Sequence, residues 1–362
     1  MEGHDRLRSE PVSLAEQTTE VREAHRFDVG ALAAYLKHNA GGFAGALDVR
    51  QFDGGQSNPT FLVESPSGRY VLRKKPTGNL LPSAHQVERE YRVMAALVAT
   101  DVPVPRMVCL CEDESVIGTA FYVMEFVDGR VFRDPQLPDL GRDERAAVYD
   151  DLNRTLARLH SVDYRALGLE DFGKPGNYFA RQIGRWSKQY LAAQTEQVES
   201  MDRLIDWLPS NVPADDSTTI AHGDFRLENS IYHPSEPRLI AVIDWELSTI
   251  GHPLADLAYN CMPYHLMNPS IGGLVGVDFE VTGIPSEREY IDTYCRRTGR
   301  SGIESWPFYV AFAIFRLASI SQGVYKRALD GNAASSQAAT FKNICRLLAD
   351  MALAKLDEAR LI

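Results

Sequence analysis

H-G-D-F-R-L-E-N-S-I-Y at 222–232, H-P-S-E-P-R at 233–238 and L-I-A-V-I-D-W-E at 239–246 form the stretch that decides the fold. Ser230–Tyr232 and Leu239–Ile243 are short apolar and β-branched runs. The six residues between them hold two prolines and polar groups. Strand, turn and strand make a β-hairpin. Residues equidistant from a hairpin turn face each other, so Asn229 and Asp244 belong at its open mouth. Asp224 lies in the loop just before it.

One carboxylate and one amide at a strand mouth suit a hard, oxygen-seeking ion such as Mg²⁺. A second carboxylate free of the metal suits a general base. Base, amide ligand and carboxylate ligand are the division of labour in kinase phosphoryl transfer. Taken singly, Asp224 and Asn229 read equally well as turn formers and Asp244 as a strand-end cap. That bland reading does not account for all three at this spacing.

The stretch resembles the catalytic segment of the aminoglycoside phosphotransferase family, a small-molecule branch of the protein-kinase-like fold. It is most similar to the kinase-like domain found in some chains joined to an acyl-CoA dehydrogenase. The resemblance implies that Asp224 is the base, Asn229 the metal-binding amide and Asp244 the counterpart of the D-F-G aspartate. It makes His222 a packed, structural histidine. It makes Asp256, in H-P-L-A-D-L-A-Y, a brace of the catalytic loop.

Working outward, F-D-G-G-Q-S-N-P-T at 52–60 reads as a loop between two strands. Gly54 and Gly55 permit close backbone approach, and Ser57 and Asn58 lie beside N–H groups able to cradle phosphate. A plain Gly-Gly hairpin turn would look the same; the family places its nucleotide-covering loop here. On the strand 70–74, Val71 and Arg73 share a face. The resemblance puts Arg73 where a phosphate-binding lysine usually stands, with Lys74 or Lys75 as substitutes if the strand bulges. In the helix 86–98, Val87, Tyr91, Met94 and Val98 form an apolar stripe. Glu90 falls inside that face and Glu88 points elsewhere. A carboxylate facing a core needs a cation, and Arg73 is the candidate; a solvated rim position is the alternative. The strand A-F-Y-V-M-E-F-V at 120–127 ends where the family links its lobes. The resemblance therefore assigns the adenine edge to Met124, Glu125 and Val127.

The chain of 362 residues is long enough for two lobes. Its net charge of −11 argues against nucleic acid and against an acidic membrane surface. Five cysteines without zinc spacing read as reduced thiols of a cytoplasmic protein. No signal peptide is read at the start, and no apolar run reaches membrane length; 306–320 comes nearest, interrupted by Arg316. Arg316 either snorkels, meets an anion or makes an internal salt bridge.

Strands early and helices from about residue 141 onward predict an α+β, bilobal protein-kinase-like fold. A mobile leader is expected at 1–26, a nucleotide-binding sheet lobe at 27–127 and a helical catalytic lobe at 128–362, with the active site between the lobes. The expected activity is ATP-dependent phosphoryl transfer, with Mg²⁺, to a hydroxyl of a small molecule. A hydroxyacyl compound or CoA thioester is suggested by the resemblance, with amino alcohols, sugars and aminoglycosides as alternatives. A homodimer is one option. A nucleotide-binding scaffold without turnover is the competing class. A protein kinase is disfavoured because S-T-I-G-H-P-L-A-D follows Asp244-Trp245-Glu246-Leu247 at once, leaving little room for a peptide-binding segment.

Overall fold

A computed structural model describes residues 14–52, 58–76, 85–267, 272–330 and 343–362. Packing divides the chain into two compact units, and the division does not follow chain order. The first comprises residues 1–158, 227–248 and 278–285; the second comprises 159–226, 249–277 and 286–362.

The first unit opens with β1 (Thr18–Thr19), α1 (Val29–Asn39), β2 (Asp48–Phe52), β3 (Thr60–Ser65) and β4 (Gly68–Lys74). There follow α2 (Val87–Leu97), β5 (Met107–Cys111) and β6 (Phe121–Glu125). These strands form one sheet in the order β1-β2-β3-β4-β6-β5. Asp28 starts α1 by accepting a hydrogen bond from the Ala31 amide at 2.9 Å. Leu32 and Leu36 of α1 then pack with Phe61, Val63, Leu72, Phe121 and Val123 on one sheet face. The alternation of β4 turns Arg73 to the opposite face, toward α2. Of residues 1–26, where a mobile leader was expected, 14–26 are described. Thr18 and Thr19 pair with Phe52 and Gln51, and the Gln51 side chain accepts from the Arg22 amide at 3.1 Å.

Helix α2 buries Val87, Glu90, Val93, Met94 and Leu97. The apolar face is thus rotated slightly from the expected stripe: Val98 is 49% exposed and Tyr91 only half-buried. β7 (Arg130–Val131), α3 (Arg142–Ser161), and the hairpin strands β9 (Ser230–Tyr232) and β10 (Leu239–Val242) complete the frame. The hairpin pairs Tyr232 with Leu239 and Ser230 with Val242, and β7 joins its outer edge. Gly129, just before β7, has to be small: a Cβ there would lie 2.3 Å from the Tyr232 carbonyl oxygen.

The second unit contains α4 (Tyr178–Ala193), α5 (Glu199–Ser210), β8 (Thr219–Ala221), β11 (Thr249–Gly251) and α6 (Pro253–Cys261). The turn α7 (Phe279–Thr282) returns to the first unit; α8 (Glu287–Thr298), α9 (Trp306–Leu329) and α10 (Ile344–Glu358) belong to the second. The predicted stripe Phe179, Ile183, Trp186 and Tyr190 is buried in α4. Helix α9 has 24 residues and a mean hydropathy of 1.2 over its most apolar 18, enough by length and composition to cross a membrane. Yet 72% of that window is buried inside the protein, and α9 packs against α4, α6 and α10. All five cysteines are free and buried.

Candidate active site

Arg73 is the centre of the first unit's polar cluster. The registers β3–β4 and β4–β6 run without a bulge through residue 73. Arg73 therefore keeps the α2 face, and Lys74 goes to the other. Lys74 is 1% exposed, and burial pushes its amine pKa down. Lys75 pairs with Glu88 at 2.9 Å. Neither lysine replaces the arginine.

The Arg73 Nε lies 3.0 Å from Glu90 Oε2. Its Nη2 lies 2.8 Å from Asp244 Oδ1 and 3.2 Å from Glu246 Oε2. Glu90 is 1% exposed and accepts from Asn58 Nδ2 at 2.8 Å and from the Tyr122 hydroxyl at 3.0 Å. Burial raises the Glu90 carboxyl; Arg73 and these hydrogen bonds oppose that rise. Burial opposes the Arg73 charge too, but Glu90 and Asp244 together hold its pKa above the usual arginine value. The strand–helix ion pair expected from sequence is thus present, as an alignment of charges rather than a well-directed hydrogen bond, since among the described residues the Arg73 Nε finds no hydrogen-bond acceptor in good geometry.

Asp244 reaches this cluster because the chain turns sharply after β10. Its φ of 66° and ψ of 58° are left-handed, a conformation that costs a non-glycine residue about 1–3 kcal/mol and concentrates at functional sites. The turn is locked from behind. Trp245 Nε1 donates to the Val242 carbonyl at 2.9 Å, and the Ser248 hydroxyl donates to the Trp245 carbonyl at 2.6 Å. The Ile243 amide donates to the Asn229 carbonyl at 3.0 Å, so Asn229 and Asp244 end neighbouring strands as the hairpin register requires. The Asp244 side chain is 33% exposed, and among the described residues only its Oδ1 is engaged. A carboxylate with an open oxygen, beside an amide-bearing strand end, fits a cation that takes few protein ligands, as Mg²⁺ does.

Sequence reasoning did not foresee Glu246 or Tyr122 in this cluster; one stands two residues past Asp244 and the other is an ordinary strand residue. Asn58 was expected beside phosphate. Its side chain is instead wholly buried, bonded to Glu90 and to His85 Nδ1 at 2.9 Å. Gly54, Gly55 and Ser57 lie outside the described residues. In the 124–127 segment, Met124 pairs with Val71, and the Glu125 and Phe126 amides bond to Arg106 and Arg69 carbonyls at 2.9 and 3.2 Å. The Val127 amide makes no backbone hydrogen bond among the described residues.

The catalytic-loop residues of the second unit are built around Asp256. This aspartate accepts from the His222 and Gly223 amides at 2.6 and 2.8 Å. His160 Nε2 lies 3.4 Å away. Burial opposes its ionisation, but His160, His222 and the Gly223 amide hold its carboxyl below the usual range. His222 is fully buried, and its Nδ1 accepts from the Asp224 amide at 3.1 Å. The brace expected of Asp256 and the packing role of His222 are therefore both visible. Asp224 carries its carboxylate 3.4 Å from Arg226 Nε. It also faces Tyr259, whose phenol is raised first by burial and then by the Asp224 charge. Arg226 escaped the sequence reading; its place two residues after the expected base was the available signal.

An arginine on a sheet strand, held by a helix glutamate and turned onto the aspartate that ends a hairpin, is the kinase-like arrangement. The chain belongs to the APH phosphotransferase enzyme family, whose model matches residues 48–277. It is 47% identical over 338 residues to mouse acyl-CoA dehydrogenase family member 10, covering 92% of this chain and 32% of that one. It is 48% identical over 348 residues to the Arabidopsis thaliana probable acyl-CoA dehydrogenase IBR3, covering 90% and 42%. The chain thus spans less than half the length of these relatives. A crystal structure from Ralstonia eutropha JMP134, provisionally described as an aminoglycoside phosphotransferase, is 51% identical with a TM-score of 0.85, covering 92% of this chain and 99% of that one. Two remoter structures share the fold. Choline kinase from Cryptosporidium parvum has a TM-score of 0.66 at 14% identity, covering 92% and 98%. Aminoglycoside phosphotransferase APH(4)-Ia with AMP-PNP and hygromycin B has 0.58 at 17%, covering 89% and 98%. The fold is α+β and protein-kinase-like.

Proposed function

We propose that this chain is an ATP-dependent phosphotransferase that moves the γ-phosphoryl group to a hydroxyl of a small molecule. The observation that carries the reading is the convergence of Arg73 on Glu90 and Asp244. Glu90, buried and hydrogen-bonded on both oxygens, fixes the guanidinium, and the planar fork of Arg73 positions phosphate oxygens as a rigid donor. The Val127 amide, unused by the sheet, receives the adenine edge. Asp244 and Asn229 would hold Mg²⁺, which when bound neutralises charge on the nucleotide phosphates. Asp224 orients the acceptor hydroxyl and takes its proton. Arg226 steadies that carboxylate. Nucleotide use is supported by the remoter structure solved with an ATP analogue. A hydroxyacyl compound or CoA thioester as acceptor is supported by relatives named as acyl-CoA dehydrogenases.

The test is a metabolite extract incubated with ATP and Mg²⁺ and read by mass spectrometry for added phosphate, beside Asp224→Asn. Transfer by the unaltered protein, reduced about 10²–10⁴-fold in the variant with ATP binding retained, is the expected result. Undiminished turnover in Asp224→Asn would remove the role given to that carboxylate. Nucleotide binding with no product from any extract would favour a binding module without turnover.

A further inference from the structure

Arg316 lies in the middle of α9, 5% exposed, in a protein of net charge −11. An internal salt bridge was one expectation for it. Among the described residues it has none, nor any hydrogen bond. What surrounds it is aromatic: its guanidinium carbon lies 5.1 Å from the Tyr259 ring centre and 5.5 Å from that of Trp186. A second guanidinium, that of the exposed Arg185, lies 5.3 Å from the same Trp186 ring. The Trp186 indole N–H is buried and, among the described residues, without an acceptor. One buried guanidinium, one exposed guanidinium and an N–H donor thus adjoin the Trp186 ring, with no carboxylate partner among the described residues. Ring faces attract a cation more strongly when it is desolvated, but a buried charge is ordinarily paired with an opposite one. This platform adjoins Asp224 through Tyr259, whose ring meets Arg316 and whose phenol feels the Asp224 carboxylate.

We propose that Arg316, Arg185 and the Trp186 indole N–H form an anion-binding subsite for the phosphoryl acceptor. The acceptor is then a small molecule bearing both a hydroxyl and a carboxylate or phosphoryl group. The subsite repels cationic amino alcohols and aminoglycosides. Arg316 selects the acceptor, while Asp224, one aromatic ring away, meets its hydroxyl. The proposal rests on the phosphotransferase reading for the word acceptor, but the binding of an anion does not.

The test separates the two. Protein labelled with ¹⁵N only in tryptophan is titrated, without nucleotide, with lactate, 3-hydroxybutyrate and glycerol 3-phosphate. Lactamide, glycerol and choline serve as neutral and cationic controls. Trp186→Phe assigns the Trp186 indole signal. The expected result is a saturating shift of that signal by at least one anion and by no control. Comparing the carboxylates with glycerol 3-phosphate decides which anion is preferred. Arg316→Met should weaken binding about tenfold to a hundredfold, the loss expected for charge-assisted hydrogen bonds; Arg316→Lys should restore part of it. Unchanged melting of the variants excludes misfolding as the cause. No shift with any anion, equal binding in Arg316→Met, or preference for choline would overturn the subsite. Phosphate transfer to the same panel is measured separately. Arg316-dependent binding without transfer leaves the subsite and removes the kinase. Transfer to neutral acceptors undisturbed by Arg316→Met does the reverse.

Discussion

Replacing Glu90 by glutamine tests the central cluster most directly. The carboxylate accepts from Asn58 on Oε1 and from the Tyr122 hydroxyl on Oε2, and Arg73 Nε lies 3.0 Å from Oε2 as an ion pair. Glutamine keeps one acceptor oxygen and puts an NH₂ group where the other was. With the oxygen facing Tyr122 and Arg73, the NH₂ opposes the Asn58 NH₂ and a buried donor is stranded; with the reverse orientation the Tyr122 hydroxyl can turn to accept, but the NH₂ faces the Arg73 guanidinium in place of a carboxylate. A stranded donor to a charged partner costs about 1.5–3 kcal/mol. Removing one member of a buried pair costs about 3–5 kcal/mol when the other is left alone, but Arg73 retains Asp244 and Glu246. The expected destabilisation is therefore near the lower end, about 3 kcal/mol. Urea unfolding at constant m reads it as a lower midpoint. The cycle with Arg73→Met and the double variant should show coupling above about 1 kcal/mol, as groups in contact do. A loss below about 0.5 kcal/mol for Glu90→Gln, or strict additivity in the cycle, would refute the account of Glu90 as the buried anchor of Arg73.

Asp256→Asn strands one of the two catalytic-loop amides it now receives at 2.6 and 2.8 Å; a loss of about 2 kcal/mol is expected, with faster hydrogen exchange at His222 and Gly223. Gly129→Ala drives a Cβ into the Tyr232 carbonyl oxygen and should cost about 1–3 kcal/mol, seen as a lower melting temperature. His252 sets a pH dependence. Its Nδ1 accepts from the Leu254 amide at 3.2 Å, its Nε2 lies buried 3.6 Å from Asp215 Oδ2 with no hydrogen bond among the described residues, and burial, opposed by the Asp215 charge, lowers its pKa to about 4. Between 6.5 and 4 the unfolded chain takes up a proton that the folded one refuses. Stability therefore falls as pH drops through that window, by about 3 kcal/mol for this group. His252→Asn keeps the helix cap and should flatten that slope in urea titrations at successive pH values; an unaltered slope would assign the effect to other groups. Asp215 is held at about 2, where burial is outweighed by Ser217 and Arg300, so its contribution is present above the ordinary carboxylate range and fades only as pH falls toward 2.

The features legible in the sequence were those that depend on local period. Short apolar, β-branched runs on either side of a two-proline turn placed β9 and β10 within a residue of their observed ends. A rotation of 100° per residue put Glu90 inside the α2 face and Glu88 outside it, and the strand period put Arg73 opposite. The partnership of those two was readable because a buried carboxylate requires a cation and few were near. Tertiary structure alone decided the rest. Arg73 and Asp244 are 171 residues apart, and nothing in either segment encodes that the left-handed turn after β10 aims one at the other. Asn58 looked like a loop residue open to phosphate and became a buried donor to Glu90, because a short amide beside a strand start is ambiguous until its neighbours are known. Arg316 shows the same limit from the other side. Its apolar surroundings were plain in the sequence, but a salt bridge and an unpaired charge look alike along a helix. Only packing, which brought aromatic rings and, among the described residues, no carboxylate partner to its guanidinium, distinguished them.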